Sequence, residues 1–319
     1  MNITKQNLEE LTDKAIISGD ILISSYQILT SASGKPYIKG TVKSQITKMF
    51  KIWDTSPIYN YFVENDLQNK VCTIEAAGDD FRGMLDLVIN SCEISENQDI
   101  GPFLDVKYDI TTLEESFNKF IDNNISEKGK TILNSVLLKT EDYEKFKTEF
   151  AGKSHHDSCL NGLFAHTVKM LKISELIFNM YSNILSCSGN TEEEKTAQKD
   201  LYFIGVILHD FGKIEEMSYG VYQMKSEVTH RVIGLEKLFE HKKEIIDTYN
   251  EKWYYDLLSV ISQHHNEFGE PARTVAAYLV HKVDDIEATF AEIDLLIETN
   301  ADESKGLKSI KYNDLFLNY

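Results

Sequence analysis

Residues 201–213 read LYFIGVILHDFGK, a run of eight apolar or small residues followed at once by a histidine and an aspartate. The run predicts a helix that is buried on all sides, and Gly212 stands where such a helix can end. An imidazole and a carboxylate at the end of a buried helix carry a large desolvation cost unless something pairs with them. A metal cation supplies that pairing, so His209-Asp210 is a candidate metal site.

The other histidines extend this pattern. Eight of the nine histidines lie between His155 and His265, and the pair His264-His265 follows the apolar run 253–261 as His209-Asp210 follows 201–208. Histidine is the commonest neutral metal ligand, and an aspartate can bridge two cations. Seven such side chains suffice for two adjacent metal sites that share one carboxylate. The candidate metal ligands are His166, His209, Asp210, His230, His264, His265 and Asp284.

Composition limits the class of protein. The chain has 319 residues, of which 42% are hydrophobic and 26% charged, as in a globular protein large enough for two domains. No run approaches the roughly 20 apolar residues of a membrane span, so no membrane partner is expected. The four cysteines are scattered without a CxxC pair, and MNITKQNLEE at the start is not a secretory signal. We therefore expect reduced thiols and a cytoplasmic location.

The N-terminal part predicts a nucleic-acid-binding barrel. Short runs rich in Ile, Val, Tyr and Thr, separated by turns at 33–36 and 78–80, are typical of a small β-barrel such as an OB-fold. The net charge of −18 argues against a generic nucleic-acid binder, yet residues 21–53 contain no acid and five lysines. A core role for Tyr26, Phe50 and Trp53 is the alternative to stacking on bases. The candidate nucleic-acid-binding residues are Lys35, Tyr37, Lys39, Lys43, Lys48, Lys51 and Trp53.

The predicted domain organisation has three parts. Gly101-Pro102 indicates a boundary, after which 113–126 and 130–150 have the spacing of two connecting helices. From Ser158 onward the chain is predicted to be almost entirely helical. The fold class is therefore multidomain, a small β-barrel (OB-fold) followed by an all-α domain. We expect an OB-fold domain at 1–104, a helical connector at 105–150 and a metal-binding domain at 151–319.

The motifs resemble those of a known superfamily. The order H…HD…D at His166, His209-Asp210 and Asp284, with HDFGK at 209–213, resembles the HD-domain metal-dependent phosphohydrolases. His230 and His264-His265 match the subset that binds two metals, including the HD-GYP phosphodiesterases. Further fragments resemble the YhaM-type 3′→5′ exoribonucleases, which join an OB-fold to an HD domain. These fragments are GKPY (34–37), IWD (52–54), HHDSCLNGLFAHT (155–167), QHHNEFG (263–269) and HKVDDIEA (281–288).

This resemblance implies a ligand set and a reaction. The first metal would be held by His166, His209, Asp210 and Asp284, and the second by His230, His264 and His265 with Asp210 bridging. A hydroxide that bridges the metals would release nucleoside 5′-monophosphates from the 3′ end of single-stranded RNA. A His-rich site favours Mn²⁺, with Fe²⁺ or Co²⁺ as alternatives.

Further residues are candidates for catalysis beside Asp210. Lys213 lies three residues after Asp210, where its ammonium can contact a phosphate oxygen. His155 and His156 are candidates for binding the phosphate or protonating the leaving oxygen. The chain departs from the family pattern at Asn161 and Ala165, where a glycine and an acidic residue are usual.

Other functions stay open at this point. Single-stranded DNA is an alternative to RNA, and a cyclic dinucleotide or nucleotide is an alternative substrate for the same centre. A small-molecule phosphodiesterase would have no need of a lysine-bearing barrel. A di-iron oxygenase uses a similar ligand order, but HDFGK and the tandem His264-His265 favour hydrolysis. A non-catalytic nucleic-acid-binding module is disfavoured by the complete ligand set.

Overall fold

The computed structural model describes residues 1–31, 33–81, 83–152, 157–186, 191–265 and 270–299, which fall into two compact units. The first unit comprises Met1–Val106 and the second begins at Lys107. The division lies close to the boundary expected from Gly101-Pro102, where a short 3₁₀ turn, Gly101–Phe103, ends the first unit's secondary structure. The three-part functional division of the chain stays a prediction.

The first unit is a closed barrel of five strands with two short helices. Its elements are α1 (Lys5–Glu9), β1 (Ile16–Thr30), β2 (Pro36–Lys43), β3 (Thr47–Trp53), α2 (Tyr59–Glu64), β4 (Lys70–Phe81) and β5 (Met84–Ile94). The strand order around the barrel is β1-β2-β3-β5-β4. The contact between β3 and β5 is parallel, and the other described ladders of the barrel are antiparallel.

Strand β1 closes the barrel because it pairs on both sides. Its first half pairs with β4 and its second half with β2, and a register shift between Ile23 and Ser25 accompanies the change of partner. Such irregularities bend a strand and let one strand serve two neighbours. The interior is filled by aliphatic and aromatic side chains from every strand, among them Ile21, Ile38, Phe50, Ile74 and Leu87.

The second unit is mostly helical. Its helices are α3 (Ile110–Asn124), α4 (Glu127–Leu133), α5 (Asp142–Thr148), α6 (Gly162–Ser186), α7 (Glu192–Leu208), α8 (Lys213–Glu216), α9 (Thr229–Glu240), α10 (Lys242–Thr248), α11 (Glu251–Gln263) and α12 (Val275–Thr299). A two-stranded hairpin, β6 (Met217–Ser218) and β7 (Val221–Tyr222), follows α8. A barrel followed by a mostly helical domain confirms the predicted fold class. Among the described ranges, no helix is long and apolar enough to span a bilayer.

Helix α7 is the centre of the second unit. Thr191 begins it with a capping box, in which its hydroxyl oxygen accepts from Glu194 N and the Glu194 carboxylate accepts from Thr191 N. The residues from Leu201 to Leu208 are all buried, as the opening run predicts. Helices α6, α11 and α12 pack around α7. The apolar second half of α7, surrounded in this way, fixes the position of the residues that follow its last turn.

The connecting region differs from the expectation. Helix α3 corresponds to the first predicted helix, whereas the second is divided into α4, a π-helical turn at Asn134–Leu138 and α5. The hydroxyl of Thr140 donates to the carbonyl of Leu137 at 2.8 Å, a side-chain bond that competes with helix continuation. Inward-facing Val136 and Leu137 keep the region packed in the core despite the break.

Candidate metal centre and nucleic-acid interface

Five helices bring the seven candidate metal ligands to one place. His166 lies in α6 and Asp284 in α12, His209-Asp210 follow α7, His230 is the second residue of α9, and His264-His265 follow α11. His166, His209, Asp210, His230 and His264 are buried, whereas His265 and Asp284 are partly exposed. The centre is therefore built into the helical core and is open to solvent on one side.

Asp210 divides the centre into two groups. Its Oδ2 lies 3.3 Å from His209 Nε2, whereas its Oδ1 lies 3.4 Å from His230 Nε2 and 3.6 Å from His264 Nε2. On the Oδ2 side, His166 Nε2 is 3.3 Å from Asp284 Oδ1. In each of two sets, the ligand atoms lie within 4.8 Å of one another: His166, His209 and Asp210 form one, and Asp210, His230, His264 and His265 form the other. One carboxylate thus faces two clusters of imidazoles with its two oxygens.

The imidazoles are fixed through their Nδ1 atoms. His209 Nδ1 lies 2.8 Å from the carbonyl of Val206, and His264 Nδ1 lies 2.9 Å from the carbonyl of Ile261. A carbonyl only accepts, so each Nδ1 carries the proton and each Nε2 presents a lone pair. The Nδ1 atoms of His166 and His230 face the carboxylates of Glu287 and Glu216 in the same way. All four Nε2 atoms therefore turn toward the shared centre.

Two observations test whether a metal fits these residues. The Nε2 atoms of His209 and His264 are buried and have no hydrogen-bond partner among the described residues, although buried nitrogens are nearly always bonded. The Nε2 atoms of His230 and His265 are 3.0 Å apart. Two nitrogens about 2.1 Å from one ion and at right angles to each other lie about 3.0 Å apart. The donor set and its geometry fit divalent cations.

The charge states of three ligands suit metal binding, whereas burial acts to lower the pKa of His166 but Glu287 and Asp284 outweigh it and raise that pKa to about 10. Burial lowers the pKa of His264, and burial together with the neighbouring His264 lowers that of His265 to about 3, so both are neutral at neutral pH. Burial acts to raise the pKa of Asp210, but Lys213 and His209 outweigh it and hold that pKa well below its usual value. Neutral imidazoles and ionised carboxylates are the forms that bind metal.

Lys213 contacts a ligand directly. Its Nζ lies 2.6 Å from Asp210 Oδ2 and donates at 2.6 Å to the carbonyl of Ala151. Only 17% of the Lys213 side chain is exposed, so the ammonium is mostly inside the protein. The lysine of HDFGK therefore neutralises the shared aspartate in this structure.

The glycine of HDFGK allows two segments to touch. A Cβ on Gly212 would lie 1.9 Å from the carbonyl oxygen of His230 and 2.8 Å from the amide of Gly234. Any side chain at 212 would push away the start of α9, which carries His230. The residue that was expected only to end the helix thus sets the distance between two ligand-bearing segments.

Two acids behind the ligands were missed from the sequence. Glu287 and Glu216 are both buried and bind His166 and His230 respectively. Glu287 stands three residues after Asp284, a spacing that places both on one helix face and could have identified it. Glu216 is 14 residues from His230, with a hairpin between them, and no local pattern links the two.

The other catalytic candidates cannot be placed. His155 and His156 lie outside the described residues. The residue that follows them, Asp157, is buried, binds Lys169 at 2.7 Å and accepts a hydrogen bond from the hydroxyl of Tyr108. Another histidine outside the ligand set, His281, donates from Nδ1 to the carbonyl of His264 at 2.8 Å and so supports the end of α11.

The barrel places most of the candidate nucleic-acid-binding residues on one surface. Side chains alternate along strands, and the inward positions of β2 and β3 include Ile38, Val42, Phe50 and Ile52, all buried. The outward positions include Tyr37, Lys39 and Lys43 on β2 and Lys51 and Trp53 on β3. Lys48 lies two residues before Phe50 and therefore on the same face of β3 as Phe50, opposite the outward positions. Lys35 lies in the β1–β2 turn. We call the five outward residues the β2–β3 face.

The β2–β3 face combines exposed rings with positive charge. Tyr37 and Trp53 are opposite each other in register with ring centroids 5.2 Å apart, and 47% of Trp53 is exposed. Lys39 is opposite Lys51 in the next pair on the same face. Lys51 binds Asp86 at 2.8 Å, and Lys43 binds Asp105 at 2.7 Å. Tyr26 and Phe50 belong to the interior, where the Tyr26 hydroxyl donates to the carbonyl of Asn65, so the alternative of a core role applies to these two residues.

Comparison with known proteins agrees with this architecture. The HD domain model matches residues 163–289. The chain is 24% identical over 292 residues to the 3′-5′ exoribonuclease YhaM of Geobacillus sp. (strain WCH70), covering 87% of this chain and 84% of that protein. Two crystal structures of the S. cerevisiae mitochondrial single-stranded DNA binding protein Rim1 also match. Each covers 27% of this chain, with 22% and 25% identity, coverage of 98% and 99% of Rim1, and TM-scores of 0.24 and 0.23. The comparisons thus identify an HD domain in this chain and confirm its resemblance, over most of its length, to the YhaM-type exoribonucleases.

Proposed function

We propose that this chain is a metal-dependent 3′→5′ exonuclease that removes nucleotides from single-stranded RNA. The observation that carries the proposal is the shared carboxylate, since Asp210 directs one oxygen to His209 and the other to His230 and His264. Such an arrangement suits two adjacent cations on one phosphodiester. Direction and substrate are proposed from the similarity to YhaM, whose name describes a 3′-5′ exoribonuclease.

In this proposal the seven ligands are divided between two cations. The first cation would be held by His166, His209 and Asp284. The second would be held by His230, His264 and His265, and Asp210 would bind both. Five imidazoles with two carboxylates favour Mn²⁺, with Fe²⁺ or Co²⁺ next, over the oxygen-preferring Mg²⁺. When bound, the cations would activate water and stabilise charge on the phosphodiester oxygens.

The protein's own side chains would prepare the centre for that chemistry. The Nδ1 contacts hold four imidazoles, those of His166, His209, His230 and His264, in the tautomer that presents Nε2. Lys213 keeps Asp210 ionised and in place. Its ammonium has three N–H groups, of which Asp210 and the carbonyl of Ala151 accept two, so the third would be available to the substrate phosphate. We retain His155 and His156, which lie outside the described residues, as candidates for binding the phosphate or protonating the leaving oxygen.

The barrel would bind the strand through the β2–β3 face. Exposed Trp53 with the adjacent Tyr37 offers a surface on which bases can stack, and Lys39 supplies charge for the phosphates. Lys43 and Lys51 are partly neutralised by their acidic partners, so we expect a smaller contribution from each. The binding is proposed to occur in the cytoplasm, in accordance with the buried thiols of Cys72 and Cys92, which are not joined in a disulfide.

The first experiment tests cleavage. RNA labelled at its 5′ end is incubated with Mn²⁺ and the full chain, Asp210→Asn, or Glu175→Gln as a control on an acid of α6 that binds Asn124. We expect a ladder that shortens from the 3′ end with wild type and Glu175→Gln, and none with Asp210→Asn or a chelator. A strand that stays intact with wild type in Mn²⁺, Fe²⁺ and Co²⁺ would refute the exonuclease and direct attention to cyclic dinucleotides.

The second experiment tests the barrel. Binding of single-stranded RNA and DNA of the same sequence is measured with metal removed for wild type, Trp53→Ala, Lys39→Gln and Lys48→Gln. Loss of one stacking ring corresponds to about 1–3 kcal/mol, or roughly tenfold to a hundredfold in affinity. Lys39→Gln should weaken binding and reduce its salt dependence, whereas the matched Lys48→Gln, on the other face, should change neither. Equal effects of the two lysine variants would contradict the β2–β3 face as the binding surface.

A further inference from the structure

The histidines of the metal centre are supported in two different ways. His209 and His264 donate from Nδ1 to a backbone carbonyl three residues earlier in the chain. His166 and His230 instead donate from Nδ1 to a buried carboxylate. His166 and His209 lie on one side of Asp210, and His230 and His264 on the other. Each proposed metal site therefore contains one histidine supported by a carbonyl and one supported by a carboxylate.

Glu287 supports the first site. Its Oε2 accepts from His166 Nδ1, and its Oε1 lies 2.7 Å from the ammonium of Lys169. Lys169 in turn lies 2.7 Å from Asp157. Both carboxylate oxygens of Glu287 are thus engaged.

Glu216 supports the second site by a different route. One of its oxygens accepts from the backbone N–H of His230 at 2.9 Å, and the other accepts from His230 Nδ1 at 3.0 Å. The preceding residue, Thr229, has φ of 66°, a backbone conformation uncommon for a residue with a side chain. A carboxylate that binds both the amide and the ring of His230 fixes the start of α9 and the direction of the imidazole together.

We propose that Glu287 and Glu216 are positioning residues, each of which orients a histidine ligand of one metal ion. Glu287 orients His166 at the first site, and Glu216 orients His230 at the second. This inference rests on the proposed two-metal function. A carboxylate partner holds the tautomer and the ring plane of a ligating histidine and makes its free nitrogen a stronger donor. A neutral amide accepts more weakly and can rotate to present its NH₂ group. Replacing one acid should therefore lower the affinity for one ion and leave the affinity for the other unchanged.

The test measures metal binding in single-site backgrounds of the full chain. His230→Ala removes a ligand of the second site, and His166→Ala removes a ligand of the first. Co²⁺ is titrated while its visible absorption is recorded, and Mn²⁺ is titrated by calorimetry. In the His230→Ala background, Glu287→Gln should lower the affinity for the ion at the first site by 10- to 100-fold and change the cobalt spectrum. Glu216→Gln should change neither the affinity nor the spectrum. In the His166→Ala background, Glu216→Gln should lower the affinity for the ion at the second site and change the spectrum, whereas Glu287→Gln should change neither.

Controls separate positioning from folding. Glu175→Gln changes an acid on α6 that contacts Asn124 rather than a ligand, and it should bind both ions as wild type does. Because Glu287→Gln leaves the ammonium of Lys169 with Asp157 alone, Glu287→Gln/Lys169→Met provides a second variant with that charge removed. It should show the same loss at the first site. Thermal unfolding of each metal-free variant identifies the folded temperature range in which affinities are compared.

The outcomes distinguish the inference from the function on which it rests. Two ions in wild type with unchanged affinity and spectrum in both glutamine variants would overturn the positioning roles and leave the exonuclease intact. If either variant lowered the affinities for both ions equally, the assignment of one acid to one ion would be overturned. A wild-type protein that binds no second ion would overturn the two-metal function and this inference together, and the unmodified titration alone detects that result.

Discussion

The close approach at Gly212 gives a prediction whose size follows from the geometry. In Gly212→Ala the new Cβ would lie 1.9 Å from the carbonyl oxygen of His230, whereas Cβ atoms in proteins essentially never come within 3.0 Å of such an atom. The backbone must therefore move by at least about 1 Å. Gly212 has φ of −65°, a conformation that alanine adopts freely, so the effect is steric alone.

Gly212→Ala should affect stability and metal binding together. Overpacking a rigid, buried site costs about 1–3 kcal/mol, and contact with backbone on both segments places this change at about 3 kcal/mol or more. A functional site tolerates displacements of only about 0.5 Å, so His230 should no longer bind its ion well. We expect weak binding at the second site and retention of the first, because the closest approaches of the new Cβ are to His230 and Gly234 of α9.

The matched control is Gly205→Ala in the middle of α7. There the new Cβ would come 3.0 Å from a Val260 methyl group, which can move, and alanine favours the helix by up to about 1 kcal/mol. Gly205→Ala should therefore stay within about 1 kcal/mol of wild type. Urea unfolding with and without Mn²⁺, together with calorimetric metal titration, measures both variants. A Gly212→Ala protein as stable as Gly205→Ala, with both ions bound, would refute the steric reasoning.

Three more predictions concern charge and metal. Lys225 and Lys237 overcome the effect of burial and hold the pKa of Glu215 at about 2 instead of 4.5, so its stabilisation is present above pH 4.5 and is lost as pH falls toward 2. Glu215→Gln should cost about 1–2 kcal/mol at pH 7, after allowance for solvent screening, and nearly nothing at pH 2 in urea unfolding. Asp200→Ala leaves the amide of Ser126 and the hydroxyl of Tyr249 without their acceptor, so we expect a loss of about 2–4 kcal/mol with unchanged metal titration. Removing metal with a chelator should leave a cooperatively folded protein, and Mn²⁺ at 100 times its Kd should add about 2.7 kcal/mol per site in thermal unfolding.

The features that local sequence patterns determine were predictable. An apolar run of eight residues that ends in His209-Asp210 indicates both a buried helix and a polar group at its tip, and the structure has both. Short runs rich in Ile, Val, Tyr and Thr, with turn residues between them, predicted the barrel, and the fold class is confirmed. These features depend on the period of hydrophobic residues along one element, which is visible without knowledge of neighbours.

The features that depend on contacts between distant segments were not predictable. Lys48 was grouped with Lys39 and Lys51 by composition, but strand alternation after the turn places it on the other face of β3. His241 Nδ1 lies 3.1 Å from the hydroxyl of Ser135, which is 106 positions earlier in the chain, and no local pattern predicts that contact. The pairing of Glu216 with His230 likewise needs the hairpin geometry between them.

The charge arrangement at the centre explains how an acidic chain can act on an anionic strand. The four buried or half-buried carboxylates there are Asp210, Asp284, Glu216 and Glu287, and two divalent cations would balance their four negative charges. Among the described residues that contact these acids, Lys213 and Lys169 remain and Asp157 opposes them, so these groups together with two divalent cations would carry one net positive charge. The chain as a whole has a net charge of −18. Because exposed charges are screened beyond about 10 Å at 0.1 M salt, the local charge governs the bound phosphate and the distant acids do not. Without cations the same centre has an excess of negative charge, so we expect phosphate binding in the HD domain to depend on metal more strongly than strand binding by the barrel.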